Sequence, residues 1–300
     1  MTMFRKGYNL ILFVCLLFAV SCSTAGNAIF HTPETVLVGS TPGDATIKSM
    51  LSIDPKKDID FIRWNLVLNE ERKTFVLNAR YGIGKPNTRD FEGGGEKVLL
   101  EGTYAVSNDG KAVYKLTSEK MSGPLSLLRL NDELFHILSP DKRLMVGSGG
   151  WSYTLGIKQP STKRLAGLPS FTEYEPGKLP TSVEFVGRTP CEEIAKEYEW
   201  LVGDECFKLK WKLVLYRDPK TGRPTTYDLQ RTLHRSEPIK GIWTVVNGPK
   251  HVIYRLDPDK PDVSISFLVG EENVLFFLDK QDRLFRANAD FSYTLNRRND

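Results

Sequence analysis

Ser152-Tyr153-Thr154-Leu155, inside the run GGWSYTLG, returns as Ser292-Tyr293-Thr294-Leu295, inside ADFSYTLN, 140 residues later. The match has company in the same order. VYKL at Val113–Leu116 returns as IYRL at Ile253–Leu256, and DKRLM at Asp141–Met145 returns as QDRLF at Gln281–Phe285, both again offset by 140. GTYAV from Gly102 corresponds to GIWTV from Gly241, offset by 139, and WNLVL from Trp64 to WKLVL from Trp211, offset by 147. Order is kept while only connection lengths change, as a duplicated domain requires. The reading places copies at residues 45–156 and 182–300. The linker between them, 157–181, is broken by Pro160, Pro169, Pro176 and Pro180, and its Phe171 and Tyr174 are positioned to tuck against one copy.

Both copies are written in strand code. Phe207, Leu209, Trp211, Leu213 and Leu215 alternate with Lys208, Lys210 and Lys212, a period of two that puts the apolar set on one face and the lysines on the other. FIRWNLVLN and KTFVLNARY are joined through Glu70-Glu71-Arg72 as a hairpin, and Asn108-Asp109-Gly110 and Pro140-Asp141-Lys142 mark turns. A single helix is predicted, at Cys191–Leu201. Six to eight short strands per copy predict an all-β chain of two tandem small antiparallel β-barrels or sandwiches; a barrel has no open edges.

The amino terminus reads as an address. Arg5 and Lys6 precede an apolar run over residues 9–20, too short to cross a bilayer, so residues 1–21 are expected to be a signal peptide. Ala19-Val20-Ser21-Cys22 resembles a bacterial lipobox, which implies cleavage before Cys22, attachment of a diacylglycerol to its thiol, and palmitate or a similar chain on its amine. At about 0.8 kcal/mol per buried methylene, two or three chains hold a protein firmly in a membrane. Ser23, in place of an aspartate, favours an outer membrane and its periplasmic side, with the cell surface as the alternative. Residues 22–44, small, polar and turn-rich, read as a flexible tether. The formal charge is +4, and loss of Arg5 and Lys6 with the signal leaves the chain close to neutral, without the basic stripe that nucleic-acid binding needs.

Of four cysteines, Cys15 leaves with the signal, Cys22 is the anchor, and Cys191 and Cys206 remain. In an exported chain the default is a disulfide; the alternative is a redox or metal pair, for which the spacing is wrong. His31 falls in the tether, His136 reads as a hydrogen-bonded structural histidine, and His234 and His251 are the one candidate metal pair. No G-x-S-x-G, H-E-x-x-H or phosphate loop occurs, so the chain reads as a non-enzyme with no cofactor. Lys208, Lys210 and Lys212 are the candidate partner surface, for lipid headgroups or lipopolysaccharide; the plainer role is protection of a strand edge.

The succession W-x-L-V-L, G-x-[YW]-x-V, [VI]-Y-[KR]-L, [DK]-x-R-L in each copy resembles the small β-barrel of NlpE-type lipoproteins, a copper-resistance and envelope-stress family, and TPCEEIAKEYEWL resembles that family's opening segment. The resemblance implies lipid-anchored, lipocalin-like or OB-like barrels that bind an envelope protein or a small apolar ligand, in stress sensing. Its alternatives are copper or other metal homeostasis and a structural accessory of an envelope assembly. The family's opening C-x-x-C is not kept: Cys191 takes the first place and Ile194 the second, and the first copy has Asp54–Asp58 there with no cysteine, which counts against copper binding through such a pair.

Overall fold

The computed structural model describes residues 34–108, 110–160, 167–171, 180–232 and 234–298, the side chains of 234–236 excepted. The signal peptide, Cys22, His31 and Tyr174 lie outside the described residues. Sixteen strands close into two eight-stranded antiparallel barrels. The first runs β1 (Glu34–Pro42), α1 (Ala45–Met50), β2 (Phe61–Asn69), β3 (Thr74–Gly82), β4 (Glu96–Ser107), β5 (Val113–Thr117), β6 (Leu125–Arg129), β7 (Leu134–Leu138) and β8 (Thr154–Ile157). The second repeats it as β9 (Ser182–Thr189), α2 (Glu192–Glu197), β10 (Leu209–Arg217), β11 (Pro224–Arg231), β12 (His234–Asn247), β13 (Val252–Leu256), β14 (Ile265–Gly270), β15 (Val274–Leu278) and β16 (Thr294–Arg297).

The repeated Ser-Tyr-Thr-Leu is the closing strand of each barrel. β8 pairs with β1 through Val38↔Gly156, and β16 pairs with β9 through Asn296↔Val186. Trp64 and Trp211, offset by 147, are also equivalent. Each buried indole Nε1–H donates to a threonine on the preceding strand, to Thr41 Oγ1 at 2.9 Å and to Thr189 Oγ1 at 2.8 Å.

Two expectations are corrected. The tether expected over residues 22–44 overlaps a strand: β1 begins at Glu34 and pairs with β2 over its full length. ETVLVGSTP has little strict alternation because Gly39 and Thr41 are buried toward their own barrel while Ser40 between them is buried against the other, so polar and small residues stand in a strand. A second helix, α1, was missed. It is six residues long, capped by Asp44 Oδ1 accepting from Ile47 N at 2.9 Å, and it buries Ile47 and Met50. Its counterpart α2 buries Ile194 at the matching place.

The two helices are pinned by different chemistry. In the first copy the Tyr153 hydroxyl donates to Asp44 Oδ2. In the second, the position equivalent to Asp44 is Cys191, which is bonded to Cys206 with a Cα–Cα separation of 5.9 Å. The bridge closes a loop across 15 residues, so the Cys191→Ser/Cys206→Ser variant is expected to lose about 3 kcal/mol of unfolding free energy. Urea unfolding midpoints with and without reductant check this.

Both interiors are filled. Trp64, Phe75, Leu77, Phe135 and Tyr153 are among the buried side chains of the first, and Trp211, Phe267, Phe277, Phe285 and Tyr293 among those of the second. A third core lies between the barrels. β7 and β15 are buried at every position because their inward residues fill a barrel while Leu134, Leu138, Val274, Phe276 and Leu278 face the other barrel. Phe171 of the linker joins this third core.

The docking is isologous. Ser152 Oγ meets Ser292 Oγ at 2.5 Å, Thr154 Oγ1 meets Thr294 Oγ1 at 3.0 Å, and the His136 ring packs edge-on to Phe276 at 5.6 Å. Each of these residues touches its own equivalent, which happens only along a two-fold axis. Gly147 N donates to Asn296 Oδ1 at 2.7 Å, and Gly156, the equivalent of Asn296, lies against Ala287, the equivalent of Gly147. A Cβ at Gly156 would come within 2.8 Å of the Ala287 carbonyl oxygen, so only glycine permits this approach.

Candidate binding cleft between the barrels

The two-fold relation brings like surfaces face to face and leaves a cleft of about 390 Å³ beside the axis. From the first barrel, β2 presents Phe61 and Arg63, the loop 84–90 presents Arg89, and Trp151 stands just before β8. From the second, β9 presents Arg188, the start of β10 presents Lys208 and Lys210, and the loop before β16 presents Asp290 and Phe291. The strand period explains the placement. Gly187 and Thr189 point inward on β9, as Leu209 and Trp211 do on β10, so Arg188 and Lys210 point out, and they sit directly opposite each other in the register.

The aromatic floor is a stack. Phe91 lies on Phe61 at 4.1 Å and Phe61 on Trp151 at 4.8 Å, each pair tilted by 13°. Guanidinium groups cover it: Arg188 lies 5.2 Å from the Trp151 ring, and Arg63 lies 5.5 Å from Phe61 and 5.6 Å from Phe91. Lys208 Nζ lies 4.8 Å from the Phe207 ring. Asp290 accepts from Arg63 at 2.7 Å and faces Arg89 at 3.4 Å. Burial lowers the Arg188 pKa, opposed in part by Asp60. Burial also lowers that of Lys208, and the positive charges of Arg188 and Lys210 push in the same direction.

The three lysines at and just before β10 therefore divide. Lys208 and Lys210 line the cleft, whereas Lys212 Nζ is paired with Glu184 at 3.0 Å. β10 is bonded to β9 and β11 along its length, so edge protection has no part in their placement. His234 opens the 14-residue β12 and His251 lies in the turn beyond its other end, so strand length separates the candidate metal pair. Among the described residues no group of three or more His, Cys, Asp and Glu side chains is placed to hold a metal ion.

His136 is fully buried. Its Nε2–H donates to the Met145 carbonyl at 2.9 Å, which leaves Nδ1 to accept from Thr154 Oγ1 at 2.9 Å. Arg188, Arg63, Arg89 and Trp151 carry no sequence signal as site residues, because each reads locally as an ordinary strand or loop residue. The available signal was divergence between equivalent positions: Gly150 stands where the second copy has Asp290. Comparison with known proteins assigns no family: no family model matches the chain, and no curated protein or solved structure matches it significantly.

Proposed function

We propose that the chain is a non-enzymatic lipoprotein, anchored through Cys22 at the periplasmic side of an outer membrane, that binds an envelope partner or ligand in the cleft between its barrels and reports envelope condition in the manner its NlpE-type resemblance implies. The observation that carries this reading is the contrast between the two kinds of interior. Each barrel is plugged by its own side chains, whereas the cleft gathers free-standing cations and a stacked aromatic floor from both copies. Small barrels hold a ligand only where side chains leave room, so binding moves to the junction. The metal-homeostasis alternative gains nothing from Cys191 and Cys206, whose sulfurs are spent on each other.

A photo-crosslinking residue placed in intact cells tests the reading. At Lys85, on the exposed rim of the cleft, it is expected to capture an envelope component. At Glu101, on the outer face of β4, it is expected to capture none. Equal capture from both positions rejects the cleft as the working surface. Survival of radiolabelled palmitate incorporation in Cys22→Ser rejects the anchor.

A further inference from the structure

The duplication supplies an internal control for the cleft. Arg63 and Lys210 occupy equivalent positions, offset by 147, on the second strand of each barrel. Arg63 is neutralised by Asp290 at 2.7 Å. The equivalent of Asp290, offset by 140, is Gly150, which carries no side chain to neutralise Lys210. A Cβ placed at Gly150 would lie 3.6 Å from Arg188 Nη1, so the empty position looks directly at a guanidinium.

Asp60, on the same cleft wall, offsets part of the Arg188 charge, and the remainder is concentrated. Arg188 and Lys210 are directly opposed across β9 and β10, an arrangement of like charges that costs stability unless an anion sits between them. Lys208 adds a third cation from two residues away on the same face, and among the described residues none of the three makes an ion pair. Arg188 also borders a second recess formed by the loop Gly147-Ser148-Gly149-Gly150, so its guanidinium is reachable from both sides. Its guanidinium carbon lies 5.2 Å from the centre of the Trp151 ring, at the aromatic floor of the cleft.

We propose that Arg188, which faces the side-chain-free Gly150, forms with Lys208 and Lys210 a binding site for a phosphate group, with the missing half of the Arg63–Asp290 pair supplied by the ligand. The inference rests on the cleft being the working surface and names the chemistry it takes. Three cations against the single nearby carboxylate of Asp60 favour a multiply charged oxyanion over a lone carboxylate, and a guanidinium suits phosphate oxygens. The group comes either from a soluble phosphate compound or from an anionic lipid headgroup of the membrane to which the chain is tethered.

The test uses the full chain in a neutral detergent and isothermal titration with inorganic pyrophosphate, with dihexanoyl phosphatidylglycerol and with dihexanoyl phosphatidylcholine. Binding of pyrophosphate or phosphatidylglycerol, weakened by added salt and absent for phosphatidylcholine, is expected. Stronger binding of pyrophosphate points to a soluble phosphate, and stronger binding of phosphatidylglycerol to a headgroup. Arg188→Ala/Lys210→Ala is expected to weaken binding about tenfold or more, since each lost contact is charge-assisted. Gly150→Asp supplies the carboxylate from within and is expected to abolish binding while the protein stays folded by circular dichroism. No binding of either anion by the wild-type chain overturns the proposal, as does binding that Gly150→Asp leaves unchanged. A protein crosslinked at Lys85 without phosphate binding would spare the cleft and reject only the phosphate assignment.

Discussion

Acidification from pH 6.5 to about 4 is expected to remove about 3 kcal/mol of folding stability through His136 alone. Burial holds the folded-state pKa at about 4, against 6.5 for a free histidine. Above pH 6.5 neither state binds the proton and the full stability is present. Between the two values the unfolded chain takes up a proton that the folded chain refuses, so stability falls as pH falls. Below about 4 both states are protonated and the loss levels off.

The hydrogen-bond pattern explains the resistance. Donors run in one direction across the two-fold axis: Ser152 to Ser292, Ser292 to Thr294, Thr294 to Thr154, and Thr154 to Nδ1 of His136, with His136 Nε2–H finishing on the Met145 carbonyl. A proton on Nδ1 turns that acceptor into a donor and takes from the Thr154 hydroxyl the partner it donates to. Urea unfolding of the wild type and His136→Gln from pH 8 to 4 checks this. The glutamine amide does not titrate, so the difference between the two curves should narrow by about 3 kcal/mol on acidification. Parallel curves would show that His136 does not carry the effect.

Phe276→Ala is expected to lower unfolding free energy by about 3–5 kcal/mol, the usual cost of emptying an aromatic site in a core. The ring is 2% exposed, packs edge-on to His136 at 5.6 Å and lies parallel to Phe171 of the linker at 6.1 Å. It belongs to neither barrel interior but to the third core, so the loss should fall on the docking of the barrels. Leu99→Ala, at a strand position 53% exposed, should change stability by less than about 0.5 kcal/mol. Chemical unfolding followed by tryptophan fluorescence gives both values. A loss at Phe276 no larger than that at Leu99 would mean the third core contributes little.

Much of each barrel was legible because a strand announces itself over a few residues. In β10, Leu209, Trp211, Leu213 and Leu215 alternate with polar neighbours, and the buried set is the one the period assigns. Where a strand is buried on both faces the code is different. LFHIL and VLFFL are continuous apolar runs, which announce two covered faces without naming the cover. β1 escaped notice for the same reason: Ser40 Oγ donates to the Ala289 carbonyl of the other barrel, so a residue that reads as tether is satisfied by a partner 249 positions away. The cleft was legible only in part. Lys208 and Lys210 stood out as a stripe, but Arg188 gains its meaning from Trp151, which belongs to the other barrel.

The order of residues by itself determined the duplication and most of the strands, because periodicity and spacing act over short stretches of chain. Tertiary structure alone decided that the copies dock about a two-fold axis, that Thr154 meets Thr294, and that Gly150 rather than a carboxylate faces Arg188. Those contacts depend on which outer faces bury each other, and that is settled by packing between surfaces rather than by any local pattern of residues.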